Sequence, residues 1–376
     1  MKHSILTLVM PMTLSFSATS ALAAKPVQEP QQILMVLSSY GEKGADGKLI
    51  KPGYEFDEMS KSYLVFDAAG AEVTFASPKG GKPIADKFDK NKPYNQKFLE
   101  DTTAVKLLSA SVKLSDINSQ AFDAVYVVGG KGPMFDLATN KDVKTIIKQV
   151  YENKGVVGAV CHGPAALLDV KLSNGNYLIA DKRISAFTNQ EEKAFTKKWQ
   201  LPFMLADKLT AQGASYQQDG LMLNQVSVDK RLVTGQNPFS TADAAKALVA
   251  ELGLPVPAHI DFKDDRTIKL AEAFFADRAS AALAYKNNTE QYDTMLLAMI
   301  GLYQAKHATR QIELDVGLAL MELTQAKVNH PMLETAIAQA YLDKSDTHTA
   351  MKRLQTSKNK FPDNAQIANL LLELSQ

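Results

Sequence analysis

Gly155-Val156-Val157-Gly158-Ala159-Val160-Cys161-His162-Gly163-Pro164-Ala165-Ala166-Leu167-Leu168 sets the only cysteine of the chain between two contrasting textures. The β-branched run ending at Val160 reads as a buried strand, and Gly163-Pro164 followed by Ala-Ala-Leu-Leu reads as the first turn of a helix. Cys161 is therefore expected on a sharp strand-to-helix turn, with its sulfur exposed at the carboxyl edge of a sheet. There the free N–H groups and positive end of the helix would favour thiolate over thiol. A lone cysteine also reads as a small buried apolar residue; the turn favours a nucleophile.

Working outward, apolar strand-like runs alternate with helical patterns from Ile33 to about Leu254: Ile33 to Leu37, Val73 to Ala76, Ala124 to Val128, Val156 to Val160 and Leu232 to Thr234. The alternation predicts an α/β fold, a mostly parallel sheet sandwiched by helices. Ser38-Ser39-Tyr40, Gly129-Gly130-Lys131-Gly132, Cys161-His162 and Gly235-Gln236-Asn237 each follow a strand candidate directly. In such folds the sites lie at the carboxyl ends of strands, so the four segments are expected to converge on one crevice.

Beyond Leu254-Pro255-Val256-Pro257 the texture changes, with Ala, Leu, Met, Glu, Lys and Gln replacing glycine and β-branched runs. The prolines mark a boundary between an α/β domain at 24–257 and a smaller all-α domain at 258–376. Helices are expected from Asp264 to Tyr285, Glu290 to Lys306, Arg310 to Lys327, Pro331 to Asp343, His348 to Lys358 and Asn364 to Leu374. Ala340-Tyr341 with Ala350 is similar to a tetratricopeptide-like helix pair, and an irregular bundle is the alternative.

Lys2 and His3 lead into an apolar stretch from Ile5 to Phe16, and small residues follow up to Ala21-Leu22-Ala23. This predicts a signal peptide at 1–23 and a periplasmic location. In an oxidising compartment one cysteine cannot form an internal disulfide. With 42 basic against 41 acidic residues, the chain has no electrostatic footprint for nucleic acid, and no other segment is long enough to span a bilayer.

Ala159-Val160-Cys161-His162-Gly163-Pro164, preceded by Val127-Val128-Gly129-Gly130-Lys131-Gly132-Pro133-Met134, resembles the ThiJ/PfpI superfamily of class I glutamine amidotransferase-like proteins. Gly53-Tyr54-Glu55-Phe56-Asp57-Glu58-Met59, Ala76-Ser77-Pro78-Lys79-Gly80-Gly81 and Phe187-Thr188-Asn189-Gln190-Glu191-Glu192 are similar to its glutathione-independent glyoxalase (glyoxalase III) branch. The resemblance spans about residues 30 to 255 and implies a flavodoxin-like fold with a nucleophile elbow. It makes Cys161 the nucleophile, His162 its paired histidine, Glu58 the acidic partner of the sulfur and Glu192 the carboxylate that orients the histidine. Asp57 and Glu55 compete with Glu58, and Glu191 with Glu192. A capping box on Thr188 or Asn189 is another reading of the two glutamates.

Gly129-Gly130-Lys131-Gly132 lacks the spacing of a dinucleotide fingerprint or a P-loop. Its glycines are expected instead to admit a substrate carbonyl, with Gly130, Gly129 and the His162 N–H as oxyanion donors. Of six histidines, His307, His330 and His348 lie in the tail and His3 in the leader, which leaves only His162 and His259 as ligand candidates near Cys161; no metal and no cofactor are expected. The implied reaction converts methylglyoxal or a related 2-oxoaldehyde to the 2-hydroxy acid. Alternatives are a holdase or redox sensor using the same cysteine, or a peptidase or deglycase. A homodimer is implied by resemblance, and a protein partner or client at the helical domain is a further expectation.

Overall fold

A computed structural model describes Met1 and residues 29–375; the expected leader therefore lies, apart from Met1, outside the described residues. Seven strands form one sheet: β1 (Gln32–Val36), β2 (Glu72–Ser77), β3 (Val112–Lys113), β4 (Ala124–Val127), β5 (Val156–Val160), β6 (Val226–Asp229) and β7 (Leu232–Gly235). Their order is β6-β7-β5-β4-β1-β2-β3, and only β6 runs antiparallel, against β7.

The strands are apolar on both faces, as a sheet covered on both sides requires. Ile33, Met35, Tyr126 and Val160 point to one face, Leu34, Val36, Val127 and Ala159 to the other. Helices α1 (Phe56–Ala68) and α4 (Thr241–Glu251) cover the first face through Met59, Phe66, Ala244 and Leu248. Helix α2 (Lys141–Glu152) covers the second with Val143, Ile146, Ile147 and Val150, the i, i+3, i+4, i+7 stripe of an amphipathic helix. The short helix α3 (Asn189–Phe195) lies between them in the chain.

The chain leaves β1 towards β2 and β3, then returns to the other side of β1 with β4. That reversal opens the crevice of an open α/β sheet. The four expected segments come directly after β1, β4, β5 and β7, which are consecutive neighbours in the sheet, so all lie along one stretch of its carboxyl edge.

Gln31–Gln376 is one compact unit. Its helical segment consists of α5 (Lys263–Ala276), α6 (Arg278–Asn287), α7 (Thr294–Lys306), α8 (Gln311–Val328), α9 (Pro331–Asp343), α10 (Thr347–Lys360) and α11 (Ala365–Leu374). The expected single helix from Asp264 to Tyr285 is two helices. Asp277 adopts extended backbone, and its carboxylate accepts the N–H groups of Ala279 and Ser280, so a cap wins over continuation. Helices α7 and α8 touch backbone to backbone, since a Cβ on Gly301 would stand 2.8 Å from the Gly317 carbonyl oxygen. The core of this segment continues into the α/β portion, where Leu221, Met222 and Leu223 cluster with Ile268, Phe274, Leu297 and Ile300.

Candidate active site

Cys161 has φ +60°, the left-handed conformation in which a side chain is strained, immediately after β5. Its N–H donates to the Gly235 carbonyl at 2.9 Å and its carbonyl accepts from the Phe187 N–H at 2.9 Å, so neighbours on both sides hold the turn. Gly163 is required there, because a Cβ would stand 2.3 Å from the Val127 carbonyl oxygen. The elbow differs from expectation in two respects. The helix after it is a five-residue 3₁₀ turn, Gly163–Leu167, and the sulfur is covered rather than exposed, with Cys161 at 3% of its free surface. Burial, reinforced by the charge of Glu58, pushes the thiol well above its usual range, opposite to the helix-favoured thiolate read from the sequence.

Glu58 is carried in the first turn of α1 and is completely buried. The Gly129 N–H donates to its Oε2 at 2.8 Å, and its carboxyl interacts with the Cys161 sulfur. Burial, with Glu55 nearby, holds this carboxyl well above the carboxylate range. Glu58 and Cys161 are therefore two buried acids in contact, and the hydrogen bond between them raises the thiol while lowering the carboxyl. The competitors are placed elsewhere: Asp57 is engaged by Lys92, by Tyr94 Oη at 3.2 Å and by Asn95 Nδ2 at 2.6 Å, while Glu55 flanks Glu58 as a like charge.

On the other side of the sulfur, His162 Nδ1 lies 3.4 Å from Sγ, and its Nε2 lies 3.0 Å from Glu192 Oε1. The Phe187 ring covers the imidazole, with centroids 4.4 Å apart. Two adjacent glutamates divide two jobs. Thr188 caps α3, and Glu191 completes the capping box by accepting the Thr188 N–H at 3.0 Å. The other oxygen of Glu191 accepts from Asn237 Nδ2 at 2.8 Å and Gln236 Nε2 at 3.3 Å, which is what the segment after β7 contributes. Glu192, one residue further round the helix, reaches the histidine.

Glu58, Cys161, His162 and Glu192 thus form one buried line of contacts. Glu58 Oε1 and Glu192 Oε2 have no hydrogen-bond partner among the described residues. A buried carboxylate oxygen left open in this way can receive a substrate group or a proton.

Of the expected oxyanion donors, Gly129 is displaced, because its N–H is committed to Glu58. The Gly130 N–H points at the sulfur, and the His162 N–H has no protein acceptor among the described residues. Gly130 has φ +88°, and a Cβ there would meet the Glu55 nitrogen at 2.4 Å. Gly130→Ala is therefore expected to push the Gly53–Glu55 segment, and α1 behind it, off the sulfur. Turnover should fall steeply, with a stability loss on the order of 2 kcal/mol in urea titration.

Two further residues of the site had not been singled out from the sequence. Lys131, half-buried and paired with Asp86 at 2.8 Å, brings a positive charge near Glu55, Glu58 and Cys161; a lysine inside a glycine-rich turn carries no signal of that placement. Asp136 ties the Ser38–Tyr40 segment down, accepting from Ser38 Oγ at 2.8 Å and the Ser39 N–H at 2.7 Å. Burial pushes its carboxyl from 3.8 up to about 6. A raised folded value means that its stabilisation is full below about pH 4 and is lost as pH rises through 6. Asp136→Asn should accordingly gain on the wild type by about 2 kcal/mol between pH 4 and pH 7.5, as measured by urea unfolding at both values.

Among the described residues no group of three or more His, Cys, Asp or Glu could hold a metal ion, and no helix is long and apolar enough to cross a membrane.

The DJ-1/PfpI family model matches residues 49–251. A glutathione-independent glyoxalase of Schizosaccharomyces pombe is 30% identical over 233 residues, covering 58% of this chain and 96% of that protein. Glyoxalase 3 of Candida albicans is 31% identical over 234 residues, covering 58% and 97%. Among solved structures, Rapid Encystment Protein 24 KDa of Francisella tularensis matches with TM-score 0.54 and 32% identity over 59% of this chain and 99% of that one. Glyoxalase III of Candida albicans matches with TM-score 0.52 and 29% identity over 59% and 97%.

Proposed function

The chain belongs to the DJ-1/PfpI family, and from that premise we propose that it is a glutathione-independent glyoxalase converting methylglyoxal, or a closely related 2-oxoaldehyde, and water to the 2-hydroxy acid. The observation that carries the reading is the unbroken line Glu58–Cys161–His162–Glu192, in which one nucleophile stands between two proton-carrying groups. Relatives at about this level of identity that bear the glyoxalase name support it.

The order of the line sets the order of the chemistry. His162, oriented by Glu192, takes the Cys161 proton as Sγ bonds to the aldehyde carbon. The carbonyl electrons move to oxygen, where the Gly130 and His162 N–H groups receive the charge, and a proton returned to that oxygen completes the hemithioacetal. The C1 proton is then removed and its electron pair forms a C1–C2 enediolate. Delivery of that proton to C2, with the C1 hydroxyl proton passing to the C2 oxygen, leaves the 2-hydroxyacyl thioester. Glu58 suits this transfer, because burial holds its carboxyl up and the Gly129 N–H fixes it beside the sulfur. Water attacks the thioester carbonyl as His162 takes one of its protons, the C–S bond breaks, and Sγ leaves with that proton. Methylglyoxal and water are thereby consumed and lactate is released.

The basic start at Lys2-His3, the apolar run to Phe16 and Ala21-Leu22-Ala23 support export to the periplasm with loss of the leader; assembly as a homodimer is part of the same proposal. Lactate formation from methylglyoxal by the purified protein, with glutathione absent, tests the activity. Failure of the reduced wild type to form lactate would remove the reading and favour the holdase or sensor alternative.

A further inference from the structure

The helical segment grips both helices that bring carboxylates to the site. On α1, Lys61 lies one turn beyond Glu58 and is 1% exposed. Its Nζ contacts Asp264 Oδ2 at 2.8 Å and Asp265 Oδ1 at 2.7 Å, both in the first turn of α5. The rings of Tyr94 and Phe262 close over it, 4.8 and 5.3 Å from the ammonium. Tyr94 Oη also bridges Asp264 and Asp57, the residue beside Glu58.

On α3, Gln190 donates to the His307 carbonyl at 2.8 Å, just past the end of α7. The Phe195 ring packs on Tyr303 with centroids 4.8 Å apart. From the last turn of α7, Gln304 donates to the Leu221 carbonyl at 2.5 Å, next to the Met222 N–H that donates to Glu191.

A buried lysine between two aspartates is weak evidence of stabilisation. An apolar side chain of the same size would serve as well, because desolvation offsets most of the attraction. What the ion pair adds is register: a charge with two fixed partners tolerates one placement of α1 against α5. A displacement of about 1 Å at a reacting centre can lower turnover by about 10²-fold, so the register of α1 matters to chemistry at Glu58. We propose that residues 263–307 form a clamp that places Glu58 and Glu192 against Cys161 and His162, with Lys61 as its positioning residue. This rests on the glyoxalase reading for its kinetic consequence, and on the geometry alone for its structural one.

The test uses the full chain carrying Lys61→Met/Asp264→Asn/Asp265→Asn, which removes the buried charges together and so leaves none unpaired. Two readouts are taken: steady-state kinetics with methylglyoxal, and the rate of Cys161 alkylation by iodoacetamide against pH. Cys161 is the only cysteine, so alkylation reads one site, and its profile reflects the groups facing the sulfur and Glu58, namely Glu55, Tyr126, Lys131 and His162. The expected result is a folded protein with kcat lower by about 10- to 100-fold, an unchanged KM and a displaced alkylation profile. Wild-type kcat and profile in the folded variant would overturn the clamp. Should that variant fail to fold, Gln190→Leu decides in its place: a lower kcat with a displaced profile supports the clamp, and wild-type behaviour overturns it. Absence of turnover in the wild type would instead sink the glyoxalase reading, and the alkylation profiles would still decide the clamp.

Discussion

Cys161→Ser is expected to abolish turnover of methylglyoxal, with kcat/KM lower on the order of 10⁴-fold. The serine would occupy the same left-handed turn and make the same backbone contacts to Gly235 and Phe187, so the fold should survive. Exchanging a buried thiol for a hydroxyl costs about 1 kcal/mol where no strong partner awaits it. A hydroxyl in this setting is a far weaker nucleophile than a thiol, because its proton is held more tightly. Thermal unfolding by circular dichroism alongside the lactate assay separates the two effects. A variant that unfolds near the wild-type temperature yet forms lactate at the wild-type rate would remove the thiol from the mechanism.

Glu58→Gln is expected to lower kcat by about 10²- to 10⁴-fold while leaving KM nearly unchanged. The amide oxygen can still accept the Gly129 N–H, so the side chain stays in place and only proton exchange is lost. Stability should move the other way. The Glu58 carboxyl is raised in the fold by burial, so its contribution is full below the unfolded carboxyl value and is lost as pH rises through the folded one. The glutamine variant should therefore melt higher than the wild type at pH 8, and its kcat should lose the pH limb that the Glu58–Cys161 pair imposes. Gain of stability with loss of turnover is a signature that general damage would not produce.

The sequence was legible where local pattern and tertiary demand agree. The strands ending at Val36, Val127, Val160 and Gly235 are β-branched runs bounded by glycine or serine, and a sheet buried on both faces needs little else. The two-residue edge strand Val112–Lys113, exposed throughout, and the antiparallel Val226–Asp229 carry no comparable run. The elbow at Cys161 was readable, but its protonation was not. The sequence suggests a helix terminus beside the sulfur, whereas the site buries the sulfur against a carboxyl, and burial is a property of the assembled crevice.

The choice between Glu191 and Glu192 is beyond any spacing rule, because each stands in the first turn of the same helix; side-chain direction alone separates cap from histidine partner. Gly129 reads as an oxyanion donor from the same glycine-rich run as Gly130, and only the position of Glu58 shows its N–H to be taken. Lys61 had no signal at all, since its partners lie more than 200 residues away in sequence.

Covalent capture at Cys161 is the most direct measure of whether this line of residues does the chemistry. The wild-type protein would be mixed with methylglyoxal, quenched within the first turnovers and digested, and the peptide containing Cys161 weighed. The account predicts a Cys161 peptide heavier by one methylglyoxal, accumulating in step with the onset of lactate formation and absent from Cys161→Ser. Lactate formation at the full rate with the Cys161 peptide unmodified throughout would contradict it.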